Sequence, residues 1–144
     1  MKLLKWSKAK RELTVQALLD SWMNHRFPLD VHPAEWWLER FRALGYSSDG
    51  RVGEKLRPAG SLVLCRGAVE SARHGLSWTP DLALGRWFAE RCGGEVWVAE
   101  FAPERLLAHL GPRWGDQQVE GGTEYLADPT GLTLVRLEDI PITE

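Results

Sequence analysis

The chain lacks the signatures of several familiar active sites. Its two cysteines, Cys65 and Cys92, form no CxxC pattern, which fits a reducing compartment. The four histidines, His25, His32, His74 and His109, are scattered with no HExxH or other metal-ligand spacing, so no metal is expected. There is no GxGxxG after a strand and no GxxxxGK[ST], which sets aside the Rossmann and P-loop phosphate cradles. The GxSxG elbow of serine hydrolases is missing as well. No run approaches the ~20 apolar residues of a membrane span. Met1–Trp6 begins like a signal peptide, but Lys8, Lys10, Arg11 and Glu12 interrupt any apolar stretch, so a cytoplasmic chain without a membrane partner is expected. A formal charge of −2 argues against a protein that simply coats nucleic acid.

What is present reads as one globular domain. The 144 residues are 44% hydrophobic and 26% charged, enough to bury one core. Eight tryptophans suit cores, pocket walls and interfaces alike, with most expected in the core. Residues 1–11 carry Lys2, Lys5, Lys8, Lys10 and Arg11 and no acid. They form either a soluble frayed end or an arm that touches phosphates.

Periodicity divides the chain in two. Leu13, Ala17, Leu18 and Trp22 predict a helix over Leu13–Met23, and Pro28 and Pro33 bracket a break. A second helix is predicted from Pro33 to Leu44, with Trp36, Trp37, Phe41 and Leu44 on one stripe and Gly45 as its cap. Ser47 to Gly60 reads as loop. Ser61–Arg66 then predicts a buried strand, Leu76–Thr79 a short extended piece, and Thr79-Pro80 the start of a helix reaching about Arg91, with Leu84, Trp87 and Phe88 inward. Glu95–Phe101 is the clearest strand, and Pro103–Leu110 reads as a short helix. Gly111 to Gly122 is a glycine-rich loop. Two more strands, Thr123–Ala127 and Leu132–Leu137, flank the turn Asp128-Pro129-Thr130-Gly131. The layout is α+β in a single domain, 1–144, with a helical part over 1–60 and a β core over 61–144.

Three pieces of the β half carry chemistry. Arg66-Gly67 ends a buried strand; the guanidinium fork suits a diphosphate or carboxylate, and glycine lets a ligand approach the backbone. Ser77 and Thr79 alternate around Trp78 and so share one side, although Thr79 also reads as a plain helix cap. Glu124 opens a strand after the glycine-rich loop, a fitting place for a catalytic carboxylate. Singly, Arg66 and Glu124 read equally as surface charges; it is their order that adds specificity.

A strand ending in Arg, a strand bearing Ser-x-Thr, a helix and a later strand opened by Glu resembles the ADP-ribosyltransferase family of the Arg–Ser–Glu type. The stretches Leu64-Cys65-Arg66-Gly67-Ala68, Gly75-Leu76-Ser77-Trp78-Thr79 and Glu124-Tyr125-Leu126-Ala127-Asp128-Pro129 are similar to small bacterial and phage members, and Leu62 to Leu137 spans that catalytic fold. The resemblance implies a split β-sheet core with N-terminal helices and a mono-ADP-ribosyltransferase that cleaves NAD and modifies a nucleic acid or protein. A toxin or effector with an antitoxin or immunity partner belongs to the same implication. Arg66 would hold the diphosphate or the nicotinamide-side ribose, and Gly67 would offer its backbone to the nicotinamide amide. Ser77, with Thr79, would orient Glu124, which would bond the ribose 2′-hydroxyl. One of Trp78, Trp87 and Phe88 would wall the nicotinamide.

The sequence departs from the family at one position. Members that modify protein side chains often carry Glu or Gln two residues before the catalytic Glu; here that position is Gly122. The acceptor-orienting group is then missing or supplied by Gln117, Gln118 or Glu120. His74 is either a ribose or acceptor contact or a surface loop residue. Trp22, Trp36, Trp37 and Phe41 either pack on the sheet or, with the basic arm, meet a target. The rival readings are an NAD glycohydrolase or phosphotransferase on the same fold and a non-catalytic relative that binds NAD, nucleic acid or a protein. The phosphotransferase would want more basic and histidine residues near the pocket.

Overall fold

The computed structural model describes residues 6–111 and 123–141. Helix α1 (Lys8–Asn24) starts earlier than predicted because Ser7 caps it, its side chain accepting a hydrogen bond from the Lys10 N–H, and because Lys, Arg and Glu are good helix formers. Lys8, Lys10 and Arg11 are therefore helical and not a frayed end. The buried face is Val15, Leu18, Leu19 and Trp22. Leu13 and Ala17, expected on that stripe, are exposed; the apolar residues of α1 wrap round the helix, and the partner surface selects the face. Between the prolines lies one helical turn, α2 (Pro28–Val31). Helix α3 (Ala34–Leu44) follows with Trp37, Leu38, Phe41 and Leu44 buried. Gly45, at φ 87°, caps it and donates its N–H to Phe41 O.

The segment read as loop after Gly45 contains two short strands, β1 (Ser47–Ser48) and β2 (Arg51–Val52), antiparallel across Asp49-Gly50. Asp49 and Gly50 both have positive φ, the requirement of a tight two-residue hairpin turn. Strands this short show no alternation to read. The chain continues through β3 (Leu62–Ala68), β4 (Ser77–Trp78), α4 (Leu82–Cys92), β5 (Glu95–Phe101), β6 (Leu106–Leu110), β7 (Glu124–Ala127) and β8 (Val135–Arg136).

Three predictions fail here. The helix predicted over Pro103–Leu110 is a 3₁₀ turn, Pro103–Arg105, followed by strand β6. Leu106-Leu107-Ala108 has no helix-breaking residue, but pairing with β7 on one side and β1 on the other overrides its local preference. Helix α4 is capped by Asp81, whose carboxylate accepts the Ala83 and Leu84 N–H groups; Thr79 Oγ instead accepts the Asp81 N–H. Its inward residues are Leu84, Gly85 and Ala89, whereas Phe88 is exposed and Trp87 half-buried. Of Leu132–Leu137 only Val135–Arg136 pairs as strand.

The strands form two sheets, one ordered β2-β1-β6-β7-β4 and the other β3-β5-β8. They meet where β3 passes the end of β4: the Cys65 and Thr79 backbones exchange both hydrogen bonds, at 2.8 and 2.9 Å. The fold is thus α+β with two sheets. One core cluster lies between α1, α3 and the larger sheet, built on Leu19, Trp22, Trp37, Phe41, Leu110 and Leu126. A second fills the space between the sheets, with Leu64, Trp78, Trp97, Phe101 and Leu106. Four tryptophans, Trp22, Trp37, Trp78 and Trp97, are buried.

Candidate functional site

The seam between the sheets determines which side chains meet. Strand pairing places Ser77 opposite Leu126, and Leu110 opposite Glu124. Residues two apart on a strand share a face, so Ser77, Leu126 and Glu124 point together. Leu126 and Leu110 belong to the core cluster of α1 and α3, which shows that this face looks toward the N-terminal helices. Ser77 Oγ donates a hydrogen bond to Glu124 Oε1, joining residues 47 positions apart in sequence.

Arg66 enters from the other sheet. Its Nε donates to Ala72 O and its Nη1 to Ser77 O, both at 3.1 Å. The guanidinium lies against Gly75, where any Cβ would collide with it. Gly75 is therefore the floor on which Arg66 rests. Two of its donors hold the turn before β4 and the backbone of the serine itself. Among the described residues, Nη2 and a second Nη1 hydrogen have no hydrogen-bond acceptor.

The electrostatics are those of a closely surrounded carboxyl that accepts the Ser77 hydroxyl and feels the Arg66 charge. Burial raises the Glu124 carboxyl above its ordinary value; the Ser77 hydroxyl, the Arg66 charge and the nearby Trp22 indole oppose that rise without cancelling it. Burial likewise lowers Arg66, and the Glu124 charge counters it. Part of the Glu124 residue stays accessible although its carboxyl is closely surrounded. The end of its strand is pinned by Asp128, which pairs with Arg42 of α3 and accepts the Thr130 N–H at 2.9 Å. Burial would raise Asp128, but these hydrogen bonds outweigh it and its carboxyl lies below the usual range.

Gly67 has two separate tasks. A Cβ there would collide with the α4 backbone at Gly85 and Ala89, so the glycine lets helix and strand touch. Its N–H and C=O follow the alternation of the ladder. Cys65 turns both groups toward Thr79, and Gly67, two residues on, turns its own the same way, toward the seam beside Arg66. A ligand at the seam would meet them there.

The other predicted site residues are dispersed. Thr79 is buried at the seam, its backbone bridging to Cys65. Trp78 faces away from Ser77 into the core, 4.9 Å from Phe101 and bonded through Nε1 to Gly75 O. At 1% exposure it has no open face on which a nicotinamide could stack. Trp87 and Phe88 sit together on α4, edge to face at 4.9 Å, with more of their surface open. His74 is an exposed residue of the turn. Gln117, Gln118, Glu120 and Gly122 lie outside the described residues. Burial pushes the Cys65 thiol up to about 11, so it is no thiolate at neutral pH. Among the described residues, no group of three or more His, Cys, Asp or Glu is placed to hold a metal ion, and no helix is long and apolar enough to cross a membrane.

Two participants escaped sequence reasoning. Trp22 reads as one more apolar residue on a helical stripe, with nothing to reveal that it packs in one cluster with Leu76, Leu110 and Leu126, the neighbours of Ser77 and Glu124. Gly75 is visible in its motif, but its role emerges only once Arg66 is seen against it. Comparisons with protein-family models, with curated proteins and with solved structures return no match for this chain.

Proposed function

We propose that the chain is an ADP-ribosyltransferase that cleaves the nicotinamide–ribose bond of NAD and passes ADP-ribose to a macromolecular acceptor, nucleic acid or protein. The split-sheet transferase fold is the architectural half of the same reading. It rests chiefly on one observation: Arg66, Ser77 and Glu124 converge from three strands, with the serine bonded to the carboxylate and to the arginine through opposite ends of the residue.

The residues fit the substrate. The spare donors of Arg66 suit an anionic diphosphate, and the open backbone of Gly67 suits a carboxamide. When the C1′–N bond breaks, its electron pair goes to the nicotinamide nitrogen, which becomes neutral, and the ribose is left as an oxocarbenium ion. A fixed carboxylate beside that carbon stabilises the charge. The acceptor then adds its lone pair to C1′ and releases its proton. Charge on Glu124 is thus needed only as the reaction proceeds, and the Ser77 hydroxyl holds the carboxylate in place beforehand. With Gly122 two residues before Glu124, no side chain at that position orients a protein acceptor. That favours nucleic acid, or water, which would make the enzyme an NAD glycohydrolase. Action inside a cell, as a toxin held by an immunity partner, belongs to the same proposal.

Incubation with labelled NAD and cell lysate tests it. Label in nuclease-sensitive material is the expected result; protease-sensitive label moves the acceptor to protein, and free ADP-ribose alone makes the enzyme a hydrolase. Glu124→Ala should lower nicotinamide release by ~10²–10³ or more. An unchanged rate in a folded variant refutes the assignment, and a wild-type chain that binds NAD without cleaving it is a non-catalytic relative.

A further inference from the structure

We infer that Trp78 and Trp97 are positioning residues for Arg66: their buried indole N–H groups hold the two ends of the turn on which the guanidinium rests. The inference rests on the NAD-cleaving reading of the site, and it gives both tryptophans a role there without contact with the ligand.

The turn over 69–75 links β3 to β4, and so joins the strand of Arg66 to that of Ser77. Its own hydrogen bonds are all short-range. The Ala72 N–H donates to Val69 O, the Arg73 N–H to Glu70 O and the Gly75 N–H to Ala72 O, at 2.9, 3.2 and 3.3 Å. Val69, Glu70, Ser71 and Ala72 are exposed. A segment that buries so little of itself is among the first to open. Arg66 nonetheless depends on it, because its Nε donates to Ala72 O at 3.1 Å and its guanidinium lies against Gly75. A guanidinium set on a turn is placed only as well as the turn is.

Two indoles supply that placement. Trp78 Nε1 donates to Gly75 O at 2.8 Å at one end, and Trp97 Nε1 donates to Ala68 O at 2.9 Å at the other. Both rings are buried. Trp78 is packed against Phe101, and Trp97 lies beside Arg66 as its register partner on β5. Arg73 of the turn adds its guanidinium over the Trp97 ring, 5.7 Å from the centroid. An indole has one donor, and each donor here is committed to a carbonyl at an end of the turn. Without it that carbonyl is left buried and unpaired, and must rotate to find another partner. At Gly75 the rotation tilts the surface beneath the guanidinium. Through the Gly75 N–H it also moves Ala72 O, the acceptor of Arg66 Nε.

Trp78→Phe tests this, since it removes the N–H and keeps a ring against Phe101. The Kd for NAD is measured by calorimetric titration for wild type, Trp78→Phe, Arg66→Lys and the double variant. A misplaced guanidinium should raise the Kd about tenfold in Trp78→Phe. Added to Arg66→Lys, the same change should cost no more than about twofold, because residues that act through one group do not add. Equal losses in both backgrounds overturn the inference, as does an unchanged Kd in the folded single variant. Phe101→Leu loosens the same aromatic pair but spares the donor, and should leave the Kd close to wild type; a loss equal to that of Trp78→Phe would assign the effect to packing and overturn the inference. If Trp78→Phe does not fold, Trp97→Phe takes its place in the cycle, with the same deciding outcomes. A second readout is independent of NAD: the nitrogen-15 signal of the Arg66 Nε–H, assigned with Arg66→Lys, should exchange with water faster in the indole variant than in wild type, and an unchanged exchange rate also overturns the inference. If that signal responds as expected but wild-type protein binds no NAD, the positioning role stands and it is the reading of the reaction that fails.

Discussion

Helices pack on the two sheets in opposite ways. Helix α4 meets β3 through glycine and alanine: Gly67, Gly85 and Ala89 bring backbone against backbone, with the Cys65 sulfur filling the one gap. Helices α1 and α3 meet the larger sheet through Trp22, Trp37 and Phe41 against Leu110 and Leu126. The first contact is too close to admit a polar group. The second is held open by large rings, and its edge has room for a carboxylate, a hydroxyl and an indole N–H. Close packing makes a rigid support, while wide packing makes a place for chemistry.

The sharpest way to break this comparison is to add one carbon to the close contact. In Gly67→Ala the new Cβ would collide with the α4 backbone at Gly85 and Ala89, and backbone cannot rotate away as a side chain can. Overpacking a core typically costs about 1–3 kcal/mol, and here the upper end, about 3 kcal/mol by urea denaturation, is expected. Stability equal to wild type would mean that helix and strand are not in backbone contact. Even two added carbons on the wide side, as in Ala108→Val within its cluster, should cost less.

Much of this contrast was legible beforehand. The α3 stripe, its Gly45 cap and the strand Glu95–Phe101 follow from periodicity and turn chemistry, and these elements lie where those signals put them. The three residues of the candidate site, Arg66, Ser77 and Glu124, were singled out by their order along the chain and not by any one position, since Arg66 and Glu124 read singly as surface charges. The errors lie where a tertiary partner decides. Leu106–Leu110 is apolar enough for a helix or a strand, and only two flanking strands make it one. Trp78 alternates correctly with Ser77, but nothing in its neighbours says that its side faces a second sheet. Trp22 belongs to the same class of error, since packing of α1 beside Leu110 and Leu126 leaves no local trace.

A smaller effect is expected at Gly75. The three atoms nearest a Cβ there all belong to the Arg66 guanidinium, so the side chain can yield and stability should barely change. The guanidinium would nevertheless be displaced from Ala72 O and Ser77 O. Misplacing a binding group by about 1 Å is enough to cost up to ~10²-fold in rate. Gly75→Ala should therefore lower kcat/KM for NAD about 10-fold, with a thermal midpoint close to wild type. A variant that loses stability and activity together would show that Arg66 is chiefly a brace between the sheets.

The finest test uses the charge that the wide packing encloses. Burial holds the Glu124 carboxyl above its ordinary value of 4.5, so the folded state binds a proton at Glu124 more tightly than the unfolded chain does. The favourable contribution of Glu124 to stability is then full below about pH 4.5, and it declines as pH rises through the elevated folded value. Near neutral pH the ionised carboxylate opposes folding. Glu124→Gln keeps the size and a hydrogen-bond acceptor for Ser77 without that charge. It should unfold at a higher temperature than wild type at pH 7, and the advantage should shrink or vanish at pH 4. The rate of nicotinamide release in wild type should run the other way, rising with pH along a limb centred above 4.5, because the reaction needs the ionised form. Opposite pH trends for stability and turnover, both abolished in Glu124→Gln, are what a carboxylate held against its solvation preference requires. Parallel trends would place the titrating group elsewhere and remove Glu124 from the chemistry.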